Sequence, residues 1–212
     1  MSLSGTAAYD DPTTTGALPP LVQRAVTAAR AHGFPYSCRP EQGRLLHALA
    51  SATGGPIAET GTGYGVGLAW LTSGAPPGTH LISVERDPHR AAIAAELFTD
   101  HPNVTVLPGD WHHITDHAPY DLLVLDGGGT GKTPTDPPAD PTHLLTPHGT
   151  VVIDDFTPSP TWPPTHNGTP DHPRLHWLTH PALHTTEIHL APDLATVLGR
   201  RTGVSQRRRS PS

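Results

Sequence analysis

Short apolar runs alternate with segments of helical periodicity through the middle of the chain. Each run is short and continuous and ends in a polar or turn-forming residue. This pattern is typical of strands buried on both faces. Between the runs, segments such as 65–73 and 87–100 space their apolar residues along one face of a helix. Alternating strands and helices predict a parallel sheet with helices on both faces. The predicted strands are PIAET, HLISVE, NVTVLP, YDLLVLD and TVVIDD.

Different patterns flank this alternation. Upstream, segments 19–33 and 40–53 begin with proline and carry apolar residues at helical spacing, so both are predicted helices. Downstream, HPRLHWLTHP predicts a helix, and HTTEIHLA and LATVLGRR predict an antiparallel hairpin around Pro192 and Asp193. The predicted fold class is therefore α/β, a doubly wound sheet with five parallel strands and a C-terminal antiparallel pair.

Length and charge limit the organisation of the chain. Its 212 residues suffice for one α/β domain, which we assign to residues 19–201. Residues 1–18 are small and polar and are predicted to be a flexible segment, and residues 202–212 a basic disordered tail. Five of the thirteen basic residues lie beyond residue 199, so residues 1–199 hold eight basic against nineteen acidic residues, a net charge of −11.

An acidic body repels nucleic acid, because phosphate contacts supply most non-specific affinity for it. The single Cys38 excludes a disulfide framework, and no apolar run approaches the length of a membrane span or a signal peptide. We therefore expect a cytoplasmic protein that binds neither nucleic acid nor membrane.

The glycine-rich sequence ETGTGYG at residues 59–65 carries the strongest chemical signal. Its glycines allow a backbone with positive φ and leave space for a ligand lying across it. Glu85 ends the next predicted strand, twenty residues after Gly65, where doubly wound sheets bind ribose hydroxyls. The combination predicts a nucleoside cofactor, and a glycine-rich turn without a ligand is the alternative.

The spacing argues against two common nucleotide sites. A dinucleotide fingerprint would require glycine where Val66 or Leu68 stands, and the carboxylate of Glu59 suits an ammonium or a sulfonium better than a pyrophosphate. DGGGTGKT at 126–133 is similar to a phosphate-binding loop, but Asp126 replaces its first glycine. The prolines after Thr133 forbid the helix that such a loop needs.

Five motifs between residues 37 and 156 resemble those of the catechol O-methyltransferase-like group of class I S-adenosylmethionine (SAM) methyltransferases. They are ETGTGYGVGLAWL, LISVERDP, VTVLPGDW, YDLLVLDGG and LLTPHGTVVIDDF. The resemblance implies a Rossmann-like fold with a seven-stranded sheet and a small-molecule acceptor, and it leaves a homodimer open. By position, it implies a cofactor site made of Glu59, Gly61, Gly63, Tyr64, Glu85, Arg86, Asp110, Trp111 and Asp126.

Acidic residues accumulate at the predicted strand ends, and this is costly unless cations or donors compensate them. Any one of them alone is more often a turn or a cap. The resemblance assigns Asp126, Asp154 and Asp155 as magnesium ligands, and carboxylate oxygens suit that ion. Asp155 stands where the group usually has asparagine. A bound hydroxyl would become more acidic and would be oriented toward the methyl group.

The catalytic base is the weakest point of the resemblance. The group usually has a lysine three residues after the first metal ligand, but position 129 is Gly and Lys132 is six residues away. Lys132 could reach inward and deprotonate a hydroxyl with a pKa lowered by burial, or be a solvated loop residue. We assign Lys132 and Asp126 as the candidate catalytic residues.

Three functions are consistent with the sequence. The first is a SAM-dependent O-methyltransferase of specialised metabolism that acts on a small-molecule hydroxyl with magnesium. The second is a metal-independent SAM-dependent enzyme that methylates nitrogen or carbon. The third is a SAM-binding module without catalysis. Sensitivity to a chelator separates the first two, and methyl release from labelled SAM separates both from the third.

Overall fold

A computed structural model describes residues 4–11 and 17–203 of the chain. Its main element is a seven-stranded sheet, and a separate two-stranded hairpin follows the fifth strand. The strands are β1 (Ile57–Thr60), β2 (Leu81–Glu85), β3 (Val104–Pro108), β4 (Tyr120–Leu125), β5 (Leu145–Phe156), β6 (Thr165–His166), β7 (Thr169–Pro170), β8 (Leu183–Ala191) and β9 (Leu194–Arg201).

The strand order is β3-β2-β1-β4-β5-β9-β8. Strands β1 to β5 pair in parallel, and β9 joins β5 and β8 antiparallel. The predicted fold class and the C-terminal hairpin are confirmed. The order reverses at β1 and β4, and in such sheets the ligand crevice lies at the carboxyl ends of the strands at this point.

Six α-helices and two 3-10 helices precede or connect the strands within the described residues. Their first turns agree with the sequence signals, because all α-helices except α3 have proline at the first or second position. The α-helices are α1 (Pro20–Ala31), α2 (Pro40–Ser51), α3 (Val66–Gly74), α4 (Pro88–Leu97), α5 (Pro141–Leu144) and α6 (His172–Leu178). The 3-10 helices span Ala7–Asp10 and Trp111–His117.

Two hydrophobic cores cover the two faces of the sheet. On β4, Leu122 and Val124 belong to the core shared with α1, α2 and α3, and Leu123 and Leu125 belong to the opposite core. Successive side chains of a strand point to opposite faces, so this central strand must be apolar throughout. The apolar run that predicted β4 is explained by burial on both sides.

Part of the segment assigned to a flexible N-terminus is packed onto the domain. Within residues 4–11, Tyr9 is buried, and its hydroxyl donates to the carbonyl of Cys38 and accepts from the indole of Trp70. One tyrosine therefore docks a segment whose small, polar composition predicted no core contact. Residues 1–3, 12–16 and 204–212 lie outside the described residues, and with them most of the predicted basic tail.

Candidate functional site

The glycine loop after β1 passes close to the start of the loop after β4. Gly61 has a φ of +88°, and a Cβ atom there would lie 2.6 Å from the Cα of Gly127. The amide of Gly127 donates to the carbonyl of Thr60 at 2.8 Å. Only glycine permits both the left-handed backbone and this approach, so the two loops meet without side chains between them.

Glu85 ends β2 beneath this loop with its carboxylate almost fully buried. One oxygen accepts from the amide of Gly63 at 2.8 Å, and the other accepts from Asp87 and from the guanidinium of Arg90, whose Nη2 lies 2.7 Å away. The carboxylate therefore fixes the glycine loop as well as facing the crevice. Arg90, which the sequence reasoning missed, is the cation that compensates this buried charge.

A cleft of about 320 Å³ opens at the carboxyl ends of β1, β2 and β4, and we call it the Trp111 cleft. Six of the nine predicted cofactor residues line it. These are Gly61, Glu85, Arg86, Asp110, Trp111 and Asp126. The loop after β4 forms the opposite wall with Gly127, Gly128, Thr130, Thr133, Thr135 and Asp136. The cleft lies at the switch point of the strand order, where the sequence predicted the ligand.

The other three predicted cofactor residues lie behind this cleft. The side chain of Tyr64 is buried against His32, with ring centroids 4.8 Å apart, because the glycine turn directs it toward α1. Gly63 contributes its amide to Glu85. The buried carboxylate of Glu59 accepts from the hydroxyl of Ser83 at 2.7 Å, so it supports the loop from below.

Asp110 and Trp111, two of the predicted cofactor residues, lie at the rim of the Trp111 cleft. Asp110 accepts from the amide of His112 at 3.0 Å and caps the 3-10 helix, and this backbone hydrogen bond lowers the pKa of Asp110. Trp111 stacks on His112 with ring centroids 3.9 Å apart. The indole also packs closely against Gly128, where a Cβ would lie 2.5 Å from Trp111 Cδ1.

A second, narrow cleft lies at the ends of β4 and β5, and we call it the acidic cleft. Asp126, Asp154 and Asp155 line it together with residues of the loop before α2. Adjacent strand residues normally point to opposite faces. Here β5 has an extra residue relative to β9 between Ile153 and Phe156, and Asp155 has a φ of +67°. This bulge allows both carboxylates to face the same cleft.

Burial and mutual repulsion govern the charges in the acidic cleft. Burial, followed by the charges of Asp126 and Asp155, raises the pKa of Asp154 to about 7. Burial is also the main cause that raises the pKa of Asp126. Burial also raises the pKa of Glu59, which lies behind the clefts, to about 8, although the hydrogen bond from Ser83 acts in the opposite direction. These carboxyl groups therefore hold protons more strongly than exposed ones.

The predicted metal ligands fit a divalent cation by donor type and by charge. Three carboxylates offer hard oxygen ligands, and their mutual repulsion favours a cation. In residues 4–11 and 17–203, however, no three His, Cys, Asp or Glu side chains are grouped closely enough to form a coordination site. Binding would therefore require these side chains to converge.

Lys132 reaches inward from the loop after β4. Its ammonium donates to the backbone carbonyls of Asp154 and Asp155, the latter at 2.9 Å, and lies 4.2 Å from the ring centroid of Phe156. Burial lowers the pKa of Lys132, although the neighbouring carboxylates act in the opposite direction. This position excludes the interpretation of Lys132 as a solvated loop residue.

Lys132 and Phe156 line a third cleft of about 280 Å³, which we call the Phe156 cleft. The small hairpin β6–β7, which the sequence analysis did not predict, forms one wall through His166, Thr169 and Pro170. Asp126 lines both the Trp111 cleft and the acidic cleft, and Asp155 lines both the acidic cleft and the Phe156 cleft. Two carboxylates thus connect three clefts along the sheet edge.

The loop between β4 and α5 is tied to the domain. The carboxylate of Asp136 accepts from the amides of Gly129 and Thr130, and the indole of Trp177 donates to the carbonyl of Thr130 at 2.8 Å. No helix follows Thr133 directly, because residues 133–136 form a turn in this described segment. The rejection of a phosphate-binding loop is consistent with this geometry.

Comparison with known proteins shows a similarity to methyltransferases over about half of the chain. Residues 58–156 match the model of a methyltransferase domain. A predicted O-methyltransferase from Mycobacteroides abscessus is 34% identical over 126 residues, which cover 54% of this chain and 56% of that protein. One from Mycolicibacterium vanbaalenii is 31% identical over 128 residues, 54% of this chain and 53% of that protein. The chain thus matches about half the length of these relatives.

Solved structures share the fold over almost the whole chain. The O-methyltransferase TomG from Streptomyces achromogenes, solved with SAM, has a TM-score of 0.70 at 20% identity and covers 96% of this chain and 100% of its own. An O-methyltransferase from Bacillus cereus, solved with S-adenosylhomocysteine (SAH), has a TM-score of 0.71 at 15% identity, with coverages of 93% and 98%.

Within the part of the chain that the structure describes, none of the helices has the length and apolar content needed to span a bilayer. Residues 58–156 are therefore similar to a methyltransferase domain, and the whole chain shares its fold with solved O-methyltransferases.

Proposed function

We propose that this protein transfers the methyl group of SAM to a hydroxyl of a small molecule, with assistance from a divalent cation. The observation that carries the proposal is that neighbouring clefts along the sheet edge share an aspartate. Asp126 joins the Trp111 cleft to the acidic cleft, and Asp155 joins the acidic cleft to the Phe156 cleft. A cofactor in the first cleft would therefore present its reactive end toward an acceptor in the third.

The residues of the Trp111 cleft are suited to hold the nucleoside of SAM. The rim carboxylate of Asp110 and the indole of Trp111 offer an acceptor and a stacking surface for an adenine ring. Glu85, whose oxygens are already oriented by Gly63 and Arg90, supplies acceptors for ribose hydroxyls. SAM supplies an electrophilic methyl group on a sulfonium, and positioning of the acceptor oxygen supplies much of the rate.

Lys132 is the candidate that receives the hydroxyl proton. Attack by the hydroxyl oxygen on the methyl carbon breaks the carbon–sulfur bond, the electron pair stays on sulfur, and the proton must leave to a base. Burial lowers the pKa of Lys132, so its neutral form is easier to reach than that of an exposed lysine. Its place at the mouth of the Phe156 cleft brings the ammonium nitrogen to the acceptor side.

Asp126, Asp154 and Asp155 would hold the cation. When bound, a divalent ion would lower the pKa of a coordinated acceptor hydroxyl. When ionised, the three carboxylates would concentrate negative charge beside the Trp111 cleft and would favour a positively charged sulfonium nearby. The cytoplasmic location, the specialised-metabolic role and a homodimeric assembly are further parts of the proposal.

The test is methyl transfer from methyl-labelled SAM to a panel of small phenols, sugars and amines, with magnesium and with excess EDTA. We expect label in hydroxyl-bearing acceptors and its loss in EDTA, with recovery on adding magnesium. Asp154→Asn should lose the response to magnesium. Control acceptors with the hydroxyl replaced by a methoxy group should remain unlabelled.

Other outcomes select the alternatives. Transfer that persists in EDTA, with full activity of Asp154→Asn, contradicts the metal role. Label found only in amines or on carbon indicates the N- or C-methyltransferase. Tight SAM binding without transfer to any acceptor indicates a non-catalytic module.

A further inference from the structure

Lys132 has a defined position although its loop has no regular structure. Residues 126–140 belong to no helix and to no strand of the sheet. A lysine side chain loses more rotamer freedom than most side chains when it is ordered. An ordered ammonium in such a loop therefore requires support for the loop backbone and for the surface that the ammonium contacts.

The first support comes from Trp177 in α6. This side chain is fully buried, and its indole nitrogen donates to the carbonyl of Thr130 at 2.8 Å. Thr130 is itself buried, and its hydroxyl accepts from the backbone amide of Lys132 at 3.3 Å. The hydrogen bond from α6 thus holds the backbone from which the Lys132 side chain starts. Trp177 lines none of the three clefts, so its contact concerns the loop and not a ligand.

The second support comes from Arg174 on the same helix. Its guanidinium is almost fully buried and pairs with Asp171 at 3.0 Å and with Glu187 of β8 at 3.1 Å. Its Cζ atom lies 4.8 Å from the ring centroid of Phe156, and the ammonium of Lys132 lies 4.2 Å from the same centroid. One phenyl ring therefore interacts with two cations, and Arg174 holds the ring that Lys132 contacts.

Packing alone does not account for this arrangement. Apolar residues of similar volume can often replace a buried ion network without loss of stability, so the core does not require a paired arginine here. The two anchors of α6 instead converge on Lys132, one through the loop backbone and the other through the phenyl ring. Helix α6 lies outside residues 58–156, the part of the chain that is similar to a methyltransferase domain.

We propose that α6 positions Lys132 for the reaction, through Trp177 acting on the loop and Arg174 acting on Phe156. Trp177 and Arg174 are positioning residues in this assignment, because Lys132 is the group that receives the acceptor proton. The inference rests on the proposed function, which gives Lys132 that task. It makes a helix outside the matched domain a determinant of turnover.

The position of Lys132 can be measured without any substrate. Lys132 is the only lysine of the chain, so NMR of protein labelled with ¹³C-lysine observes this side chain alone. The ring of Phe156 should displace the ε-methylene signals from those of an exposed lysine. Phe156→Leu removes the ring and gives the signal position without its influence. At constant pH, Trp177→Phe removes the indole donor and should move the signals more than halfway toward those of Phe156→Leu.

Kinetics on an active acceptor supply the second measurement. Trp177→Phe should lower the turnover rate by about 10-fold or more, because a small displacement of a reacting group is costly. SAH affinity should stay within about twofold of the wild type, because the lost interaction acts on turnover and not on cofactor binding. Trp162→Phe is the matched control, since it makes the same replacement at an indole that is 71% exposed. It should change neither the NMR signals nor turnover.

Arg174→Lys tests the second anchor independently. Arg174 also lines the Phe156 cleft, so Trp177 remains the cleaner probe. Arg174→Lys keeps a cation between Asp171 and Glu187 but loses the planar guanidinium beside Phe156. We expect signal positions and turnover between those of the wild type and Trp177→Phe. Because this variant retains the buried charge, it decides the question if Trp177→Phe does not fold.

Unchanged Lys132 signals in the folded variants would show that α6 does not position the ammonium. Displaced signals with wild-type turnover would show that this position does not matter for the reaction. Either result overturns the assignment, and so does an equal loss of turnover and SAH affinity, which indicates a general disturbance of the fold. A wild-type protein that transfers no methyl group contradicts the proposed function, whereas the NMR signals still report whether α6 holds Lys132.

Discussion

The two halves of the sheet edge differ in how their functional groups are positioned. In the half formed by β1 and β2, local backbone geometry positions the groups. Glycines with positive φ follow β1, and the carboxylate of Glu85 accepts a hydrogen bond from the amide of Gly63. In the half formed by β4 and β5, a bulge at Asp155 and the long reach of Lys132 bring residues together. The proposed cofactor binding and acceptor chemistry would therefore depend on different kinds of structure.

This difference separates two measurable quantities. Changes in the β1–β2 half should act on cofactor affinity, and changes around Lys132 should act on turnover with bound cofactor. Variants that move both quantities together would contradict the division.

The largest effect is expected from Lys132. Replacing Lys132 with Met or with Arg should lower the turnover rate by about 100-fold or more, because neither side chain can accept the hydroxyl proton. SAH affinity should stay within about twofold of the wild type. Steady-state kinetics on an active acceptor, with calorimetry for SAH, provide the two values.

The Lys132→Arg variant keeps a positive charge beside Asp154 and Asp155 but cannot accept a proton. It therefore separates the effect of charge from the effect of proton transfer. Wild-type turnover of Lys132→Arg would mean that the residue acts only as a cation. A large loss of SAH affinity in both variants would instead assign Lys132 to cofactor binding.

Glu85 comes next. Glu85→Ala should weaken SAH binding by about 1 to 3 kcal/mol, because it removes ribose acceptors and also releases the amide of Gly63 and the guanidinium of Arg90. Glu96→Ala, on the exposed face of α4, is the control and should bind SAH normally. Turnover at saturating SAM should fall less than affinity, and the reverse order would contradict the assignment.

The smallest effect concerns Glu59 and pH. Burial raises its pKa from the usual 4.5 to about 8 in the folded protein. The unfolded chain therefore releases this proton first as the pH rises, and folding stability falls between about pH 4.5 and about 8. Glu59→Gln cannot ionise, so its melting temperature should fall less across this range.

Parallel melting curves of the ligand-free wild type and Glu59→Gln would measure this contribution. Curves with the same pH dependence would mean that Glu59 is ionised in the folded protein, which would contradict a raised pKa.

The sequence predicted the fold for physical reasons, and the same reasons make part of the candidate site predictable. The central strands are apolar on both faces because both faces are covered by hydrophobic cores. A strand buried in this way needs an almost continuous run of apolar residues. Glycine at positions 61 and 63 and the acid at 85 are fixed by local backbone geometry and spacing. Such features are readable without knowledge of tertiary contacts.

Tertiary contacts decide the features that the sequence did not reveal. Tyr64 belongs to the glycine motif, but its side chain packs on His32 of the region after α1. The unsatisfied amide of Gln42 is visible only once α2 is placed over the acidic cleft. Close contacts with Gly61 and with Trp111 require glycine at positions 127 and 128, and the sequence alone does not reveal these contacts.

The most direct test of the account is calorimetric titration of the folded wild-type protein with SAH. The account predicts one binding site per chain, with affinity reduced by Glu85→Ala and retained by Lys132→Met. Absence of binding heat, together with an unchanged melting temperature at saturating SAH, would contradict the claim that these connected clefts bind a SAM-type cofactor.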